Sequence, residues 1–233
     1  MSFLLMKEIE HLKKKIISLS TYVEENLQRA VKSLETRDAA MARKAIEADT
    51  LIDQMEIDVE EECLKILALH QPVAVDLRYL VATLKLNSDL ERIGDLAVNI
   101  AERAACLAVV PKLNLPFDFS DMAKKVQVML TKSLNALVDI NAPLAREVLT
   151  MDDAVDAINR EMYDRVNQDI QAHPEHFNLL IHFLSVSRNL ERVADHATNI
   201  AEDVIYMIEG AIVRHHAEES RKAASECPPD QSK

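Results

Sequence analysis

The residues of this chain that could do chemistry are carboxylates, and they come in pairs four positions apart. On an α-helix, positions i and i+4 lie one above the other on the same face, so each pair presents two carboxylates together. Carboxylate oxygens are hard ligands that suit Mg²⁺, Ca²⁺, Mn²⁺ or iron, and several of them can bridge more than one ion. The spacing therefore predicts metal-binding helix faces. The four acid-x-x-x-Asp pairs are Asp49 with Asp53, Glu91 with Asp95, Asp152 with Asp156, and Glu191 with Asp195.

A second interpretation is that these faces are ordinary solvated helix surface. On the helix that carries residues 91 and 95, the apolar residues Leu90 and Ile93 fall on the opposite side, as in any surface helix. Carboxylates at i and i+4 repel by about a few tenths of a kcal/mol, and solvated faces usually carry Lys or Arg at the same spacing. Here Asn87 and Asn99 extend the stripe, and no cation stands at that spacing. Both interpretations stay open on the residues alone.

The carboxylate pairs recur because the chain contains an internal repeat. Residues 90–102 (LERIGDLAVNIAE) and 190–202 (LERVADHATNIAE) are identical at nine of thirteen positions, at an offset of 100. Residues 49–53 (DTLID) match 152–156 (DDAVD) at an offset of 103. Two copies of a unit this large predict a pseudo-symmetric pair of antiparallel bundles, since a solenoid needs at least three repeats.

The composition predicts that these units are helical. The chain has 233 residues with only 2 Gly and 4% aromatic residues, and it is rich in strong helix formers. Prolines and apolar spacing divide it into six helices, the second of them capped by Asp38. We expect an all-α fold of two tandem pseudo-symmetric antiparallel three-helix bundles. The helices are placed at about 6–36, 39–69, 72–110, 121–140, 142–172 and 175–217, the two units at 1–116 and 117–217, and a disordered polar tail at 218–233.

Charge and hydropathy exclude several classes of partner. A net charge of −12 repels phosphate backbones, which argues against a direct nucleic-acid partner. The longest apolar run, 104–110, is too short to span a bilayer, so we expect membrane association only through partners. Cys63, Cys106 and Cys227 lie far apart without metal-site spacing, and the N-terminus lacks a signal peptide's apolar stretch. These features predict a cytoplasmic protein.

Other known kinds of site find little support. With Gly94 and Gly210 as the only glycines, no phosphate-binding loop or nucleophile elbow can form. The only Glu-x-x-His is Glu8 to His11, whereas di-iron carboxylate bundles need two such motifs. His196 follows Asp195 directly and so points about 100° away from the carboxylate face. We therefore predict no catalytic residues and no organic cofactor.

Three longer motifs make the sequence resemble the PhoU family of regulators of bacterial phosphate uptake. The resemblance spans roughly residues 6–210 and is far more specific than any single ExxxD. The motifs are QPVAVDLR at 71–78, DLERIGDLAVNIAER at 89–103 and NLERVADHATNIAEDVIY at 189–206.

The resemblance implies a cytoplasmic, non-enzymatic protein of two three-helix bundles that forms a homodimer. It implies that the eight paired carboxylates hold multinuclear clusters of iron, zinc, manganese or magnesium. It also implies that the protein keeps the phosphate-starvation response off when phosphate is plentiful. The implied partners are the ATPase subunit of the phosphate ABC transporter and a sensor histidine kinase.

The second half departs from the first. It lacks a counterpart to residues 71–78, and Asn159 stands where the first half has Glu56, so the two sites can differ in metal content or affinity. Arg78 has two interpretations, as a solvated or locally paired residue or as part of a partner surface. Two rival functions also stay open: a ferritin-like di-iron carboxylate oxidase, and a metal-free helical adaptor.

Overall fold

The computed structural model describes residues 3–110, 119–210 and 213, and throughout these ranges the regular structure is helical. The first half contains α1 (Phe3–Thr36), α2 (Ala39–His70) and α3 (Ala74–Ala108). The second half contains α4 (Ser120–Val138), α5 (Ala142–Leu149), α6 (Asp152–Ala172) and α7 (Phe177–Glu209), with a 3₁₀ turn (Pro174–His176) before α7. The predicted all-α class is confirmed. Seven helices replace the predicted six because the middle helix of the second half is interrupted.

The interruption lies at Thr150 and Met151, inside the helix predicted for 142–172. The N–H groups of these two residues donate to carbonyls three positions back, Glu147 at 3.2 Å and Val148 at 3.0 Å. The Thr150 hydroxyl also donates to the Glu147 carbonyl at 2.8 Å. Three-residue bonds tighten the last turn of α5 and end it. No Pro or Gly stands at this place, so the sequence lacks the strongest signals for a break.

The helix starts agree more closely with expectation. The Asp38 carboxylate accepts hydrogen bonds from the N–H groups of Ala40 at 2.8 Å and Met41 at 3.0 Å, which confirms it as the cap of α2. The third helix begins at Ala74 and not at Pro72. The proposed tail at 218–233 lies outside the described residues, as do residues 111–118 between the two halves.

The last helix ends at Glu209 and not at 217. Gly210 adopts a left-handed conformation with φ of 74°, and its N–H donates to the Tyr206 carbonyl at 2.9 Å. Glycine favours this C-terminal cap because a side chain strains the left-handed region. The Arg78 side chain fills the space that a Cβ on Gly210 would occupy, so Arg78 contacts the end of α7. Neither interpretation of Arg78 from the sequence included this contact.

Replacing Gly210 with Ala is expected to lower the free energy of unfolding by about 1–2 kcal/mol, the cost of a left-handed non-glycine residue. The measurement is urea unfolding followed by circular dichroism. Gly210→Asn is the control and should cost less, because Asn tolerates the left-handed region. Equal stability of Gly210→Ala and the unaltered protein would contradict this account of the cap.

The two halves meet along α3 and α7, which run antiparallel through the centre of the molecule. Lys85 near the start of α3 lies 3.5 Å from the buried Asp203 near the end of α7, and Lys85 Nζ also lies over the Tyr206 ring. Leu90 and Ile93, predicted to face away from the acidic stripe, are fully buried. None of the described helices combines the length and apolarity needed to cross a lipid bilayer.

Candidate functional site

The first four predicted ligands lie on two neighbouring helices of the first half. Asp49 and Asp53 lie on α2, and Glu91 and Asp95 lie on α3, which packs against α2. We call these four residues the first cluster. Gly94 allows the close approach, because a Cβ there would lie 3.1 Å from Ile52 Cγ2 and 3.3 Å from Asp49 Oδ1. The missing side chain therefore leaves room for Asp49 beside α3.

The electrostatics of the first cluster show that its members share one field. Burial raises the pKa of Asp49 to about 6, and the charges of Asp53, Asp95 and Glu91 contribute to the same rise. Burial and the neighbouring Asp95 likewise raise the pKa of Glu91. Like charges held together in a partly desolvated place disfavour ionisation. The structure therefore brings together all four carboxylates that the sequence pattern paired.

The second cluster contains Asp152 and Asp156 on α6 with Glu191 and Asp195 on α7. The pKa of Glu191 is raised, first by burial and then by the charges of Asp156 and Asp152. Arg188 and Arg192 on the same helix oppose that rise. Asp195 is exposed. The second half therefore repeats the arrangement of acids across two helices.

A cation lies beside the first stripe, although none stands at the i,i+4 spacing. Arg92 Nη1 lies 3.1 Å from Asp95 Oδ2, and Arg92 Nε lies 3.4 Å from Glu91 Oε2. Arg92 reaches Asp95 at i,i+3 and Glu91 from the next position, which the i,i+4 spacing does not cover. Its side chain is 55% exposed, so these ion pairs contribute little. They do not prevent the rise in the pKa of Asp49 and Glu91.

A matched hydrogen bond lies beside each cluster and differs in chemistry between the halves. Asn87 Nδ2 on α3 donates to Glu56 Oε1 on α2 at 2.9 Å and to the Glu56 carbonyl at 2.9 Å. At the corresponding place in the second half, the Ser187 hydroxyl donates to Asn159 Oδ1 at 2.7 Å. Both bonds fasten the middle helix of a half to its last helix. Only the first half has an additional carboxylate there, and burial raises its pKa.

Sequence reasoning missed a polar contact between the halves. Asp89 Oδ1 on α3 lies 2.7 Å from His196 Nδ1 and accepts a hydrogen bond from Asn199 Nδ2 on α7 at 3.2 Å. The corresponding residues of the other copy are Asn189 and Leu96, so the repeat differs at these places. This difference between the two copies was the sequence signal that could have indicated the contact. The contact joins α3, which carries two acids of the first cluster, to α7, which carries two acids of the second.

Asp89→Ala is expected to lower the free energy of unfolding by about 1–3 kcal/mol, because it leaves two half-buried donors without their acceptor. The measurement is chemical unfolding in the presence of chelator, so that metal binding does not contribute. Asp89→Asn should recover part of the loss, since its amide oxygen can still accept. A stability equal to that of the unaltered protein would show that water replaces this acceptor at no cost.

The single Glu-x-x-His motif is placed elsewhere, and one further histidine, His182, lies on α7. Glu8, the acid of the single Glu-x-x-His, lies 2.6 Å from His70 Nε2 and 3.7 Å from Lys65 Nζ, and His11 is exposed on α1. That motif does not contribute to a bundle-core metal site. The pKa of His182 is lowered by burial and by Arg103, in surroundings that disfavour a charged imidazole.

The carboxylates of the two clusters are chemically suitable metal ligands, but their side chains do not surround a common point in the described structure. In residues 3–110, 119–210 and 213, no three His, Cys, Asp or Glu side chains converge on one point that could hold an ion. Asp53 is exposed, and Asp49, Glu91 and Asp95 are half-buried, so they are accessible from solvent. Hard oxygen donors whose charges raise one another's pKa suit a hard cation.

The fold and the two clusters define a class of duplicated helical proteins, in which each half presents matched carboxylate pairs on two neighbouring helices. Within that class, the chain belongs to the PhoU family, because the model of the PhoU domain matches residues 16–104 and 119–204. The resemblance drawn from the sequence motifs is confirmed.

Relatives and solved structures cover nearly the whole chain. The phosphate-specific transport system accessory protein PhoU homolog of Aquifex aeolicus is 37% identical over 211 residues, which is 91% of this chain and 96% of the relative. The crystal structure of PhoU from Pseudomonas aeruginosa matches with a TM-score of 0.84 and 33% identity, over 88% of this chain and 99% of that chain. PhoU from Streptococcus pneumoniae, described as a phosphate transport system regulatory protein, matches with a TM-score of 0.76 and 27% identity, over 90% and 99%.

Proposed function

We propose that this protein is a non-enzymatic regulator of phosphate uptake that holds the phosphate-starvation response off when phosphate is plentiful. Its relatives are accessory proteins of phosphate-specific transport systems, and they match the chain over most of its length. In this proposal the protein acts in the cytoplasm as a homodimer. It contacts the ATPase subunit of the phosphate ABC transporter and a sensor histidine kinase.

The first cluster carries the metal part of the proposal. Burial, followed by the charges of Asp53, Asp95 and Glu91, raises the pKa of Asp49 to about 6, and such crowding of carboxylates is unfavourable unless a cation offsets it. A bound ion of iron, zinc, manganese or magnesium would supply positive charge that screens these carboxylates and ties α2 to α3. Asp152, Asp156, Glu191 and Asp195 would do the same for α6 and α7.

The turn between α2 and α3 is the part of the molecule that best suits a protein partner. Leu69, Val73 and Val75 are 66%, 73% and 61% exposed, which is a high exposure for three neighbouring aliphatic side chains. Exposed apolar groups that lie together mark interaction surfaces. The motif at 71–78 covers this turn and the first residues of α3, so the partner interpretation of that motif gains support.

Each rival function requires a sequence motif or a metal content that differs from what this proposal requires. A di-iron oxidase needs a second Glu-x-x-His, and Glu8 of the single copy already pairs with His70. Oxygen consumption by purified protein with ferrous iron would establish the oxidase and refute the proposal. A metal-free adaptor requires that gently purified protein contain no bound metal and that its melting curve not shift with chelator.

The test of the regulatory role is deletion of the gene, followed by a phosphatase reporter in high phosphate. We expect loss of repression, restored by the unaltered gene. A gene encoding Val73→Glu with Val75→Glu should restore it poorly, because the charges disrupt the apolar turn. Val128→Glu with Val138→Glu is the control, since these valines are exposed on α4, far along the chain from the turn. Full repression in the deletion strain would refute the proposal.

A further inference from the structure

The end of α6 and the turn that follows it contain two histidines and two acids that neither cluster uses. His176 Nδ1 lies 3.2 Å from Asp169 Oδ2, and His173 Nδ1 lies 3.4 Å from Glu175 Oε1. The two imidazole rings have centroids 5.0 Å apart and planes inclined at 32°. Each ring therefore has its Nδ1 beside a carboxylate and its neighbour ring close by.

Histidines that bind a metal through Nε2 commonly have a carboxylate beside Nδ1, as both of these do. A carboxylate that accepts a hydrogen bond from Nδ1–H fixes the tautomer and leaves the lone pair of Nε2 as the donor to a metal. Within the described part of the chain, neither His173 Nε2 nor His176 Nε2 has a hydrogen-bond or ion-pair partner. Both nitrogens are therefore available.

The separation of the rings also fits one shared ion. Two imidazoles that bind a tetrahedral ion at about 2.0–2.1 Å place their ring centroids about 5 Å apart. The observed 5.0 Å matches that value. The His173 side chain is 53% exposed and that of His176 is 22% exposed, so an ion can reach them from solvent. The charges of Asp169 and Glu175 favour a cation at this place.

We propose that His173 and His176 bind one divalent transition-metal ion of the Zn²⁺, Cu²⁺ or Ni²⁺ kind through Nε2. Asp169 and Glu175 orient the rings, and water completes the coordination. Imidazole suits these ions, whereas the oxygen ligands of the two clusters suit harder ones, so this site is chemically distinct from both clusters. The ion would fasten the 3₁₀ turn (Pro174–His176) and so fix the connection between α6 and α7.

The first half offers a contrast. A histidine, His70, likewise stands at the end of its middle helix, before the proline of the following turn. There, however, Nε2 itself is engaged, at 2.6 Å from Glu8 Oε2, and Lys65 lies 3.7 Å from the same carboxylate. A nitrogen held in that way is not available to a metal. The proposal therefore concerns the second half alone and does not depend on the regulatory role.

The test is titration of the full chain with Cu²⁺, with pulsed EPR to detect the remote nitrogens of bound imidazoles. We expect one Cu²⁺ with the signature of two imidazoles, absent from His173→Asn with His176→Asn. Asp169→Asn should weaken binding by about tenfold, as loss of an orienting carboxylate does elsewhere. Melting curves in chelator are the check that each variant folds, and the single variant His173→Asn should retain the signature of one imidazole.

Two controls separate this site from others that could bind the probe. His215 and His216 are adjacent histidines beyond α7, so His215→Asn with His216→Asn must keep the two-imidazole signature. Glu91→Ala with Asp95→Ala must keep it too. A signature that persists without His173 and His176, or that disappears without His215 and His216, would overturn the proposal.

Discussion

Replacing Glu91 and Asp95 with Ala is expected to lower the metal affinity of the first half by at least about tenfold, since loss of even an indirect ligand contact commonly has that effect. The two side chains are half-buried members of the first cluster, and the helix core beneath them, which includes Leu90 and Ile93, is unchanged. Metal content per chain, measured by elemental analysis after gentle purification, should fall. The fold should remain, because no buried apolar contact is removed.

The same variant should lose the thermal stabilisation that metal provides. A ligand at about a hundred times its dissociation constant stabilises the folded state by about 2.7 kcal/mol, so chelator should lower the melting temperature of the unaltered protein by several degrees. In the variant, chelator should have a much smaller effect. Glu25→Ala with Glu35→Ala removes the same charge from exposed positions on α1 and should behave like the unaltered protein. Unchanged metal content in the cluster variant would refute the ligand assignment.

The second cluster should respond more weakly to the matching change, Glu191→Ala with Asp195→Ala. Asn159 replaces the carboxylate that Glu56 supplies beside the first cluster. The missing carboxylate lowers the negative potential that attracts a cation to the second cluster. A larger loss of metal from this variant than from the first would show that the potential does not set the affinity.

The sequence predicted the features that depend on local periodicity. The duplicated units, the helical class and the pairing of acids across neighbouring helices follow from spacing and repetition, and the Asp38 cap follows from residue type. Contacts between distant parts of the chain were not predictable in this way. Arg92 reaching both acids of its own stripe depends on its rotamer, and Asp89 meeting His196 depends on how α3 and α7 cross.

The positions of the helix ends likewise depend on both local sequence and tertiary contacts. Gly210 ends α7 where the apolar pattern continued, because the left-handed conformation of this glycine and its contact with Arg78 decide the end of the helix. The break at Thr150 is marked by neither Pro nor Gly, and hydrogen bonds between residues three apart tighten the last turn of α5 there. Local preferences set where helices form, and tertiary contacts adjust where they stop.

Asp49→Asn is expected to raise the free energy of unfolding of the metal-free protein at pH 7. The pKa of Asp49 is raised to about 6 in the folded protein, above the value of about 3.9 for an unfolded chain. At pH 7 the carboxylate is therefore ionised in a place that disfavours its charge. A neutral amide of nearly the same shape removes that penalty. After allowance for solvent screening of a half-buried group, the gain is about 1 kcal/mol.

The raised pKa of Asp49 determines how the free energy of unfolding depends on pH. Between about pH 4 and 6 the folded protein holds a proton on Asp49 that the unfolded chain has released, so stability falls as pH rises through this range. Below pH 4 both states are protonated, and the contribution of this group disappears. The advantage of Asp49→Asn should therefore be small at pH 4, grow up to pH 6 and stay constant above it. Urea unfolding in chelator at a series of pH values measures it.

The matched control is Asp58→Asn, an exposed position on the same helix that lies outside the cluster. Its stability difference from the unaltered protein should not follow the same pH profile. Asp49→Asn should also bind less metal, so that one substitution makes the metal-free protein more stable and the metal-bound protein less so. That opposition is the expected behaviour of a carboxylate retained for binding a cation at a cost to the fold. An advantage that is equal at pH 4 and pH 7 would show that the gain does not come from the charge of Asp49.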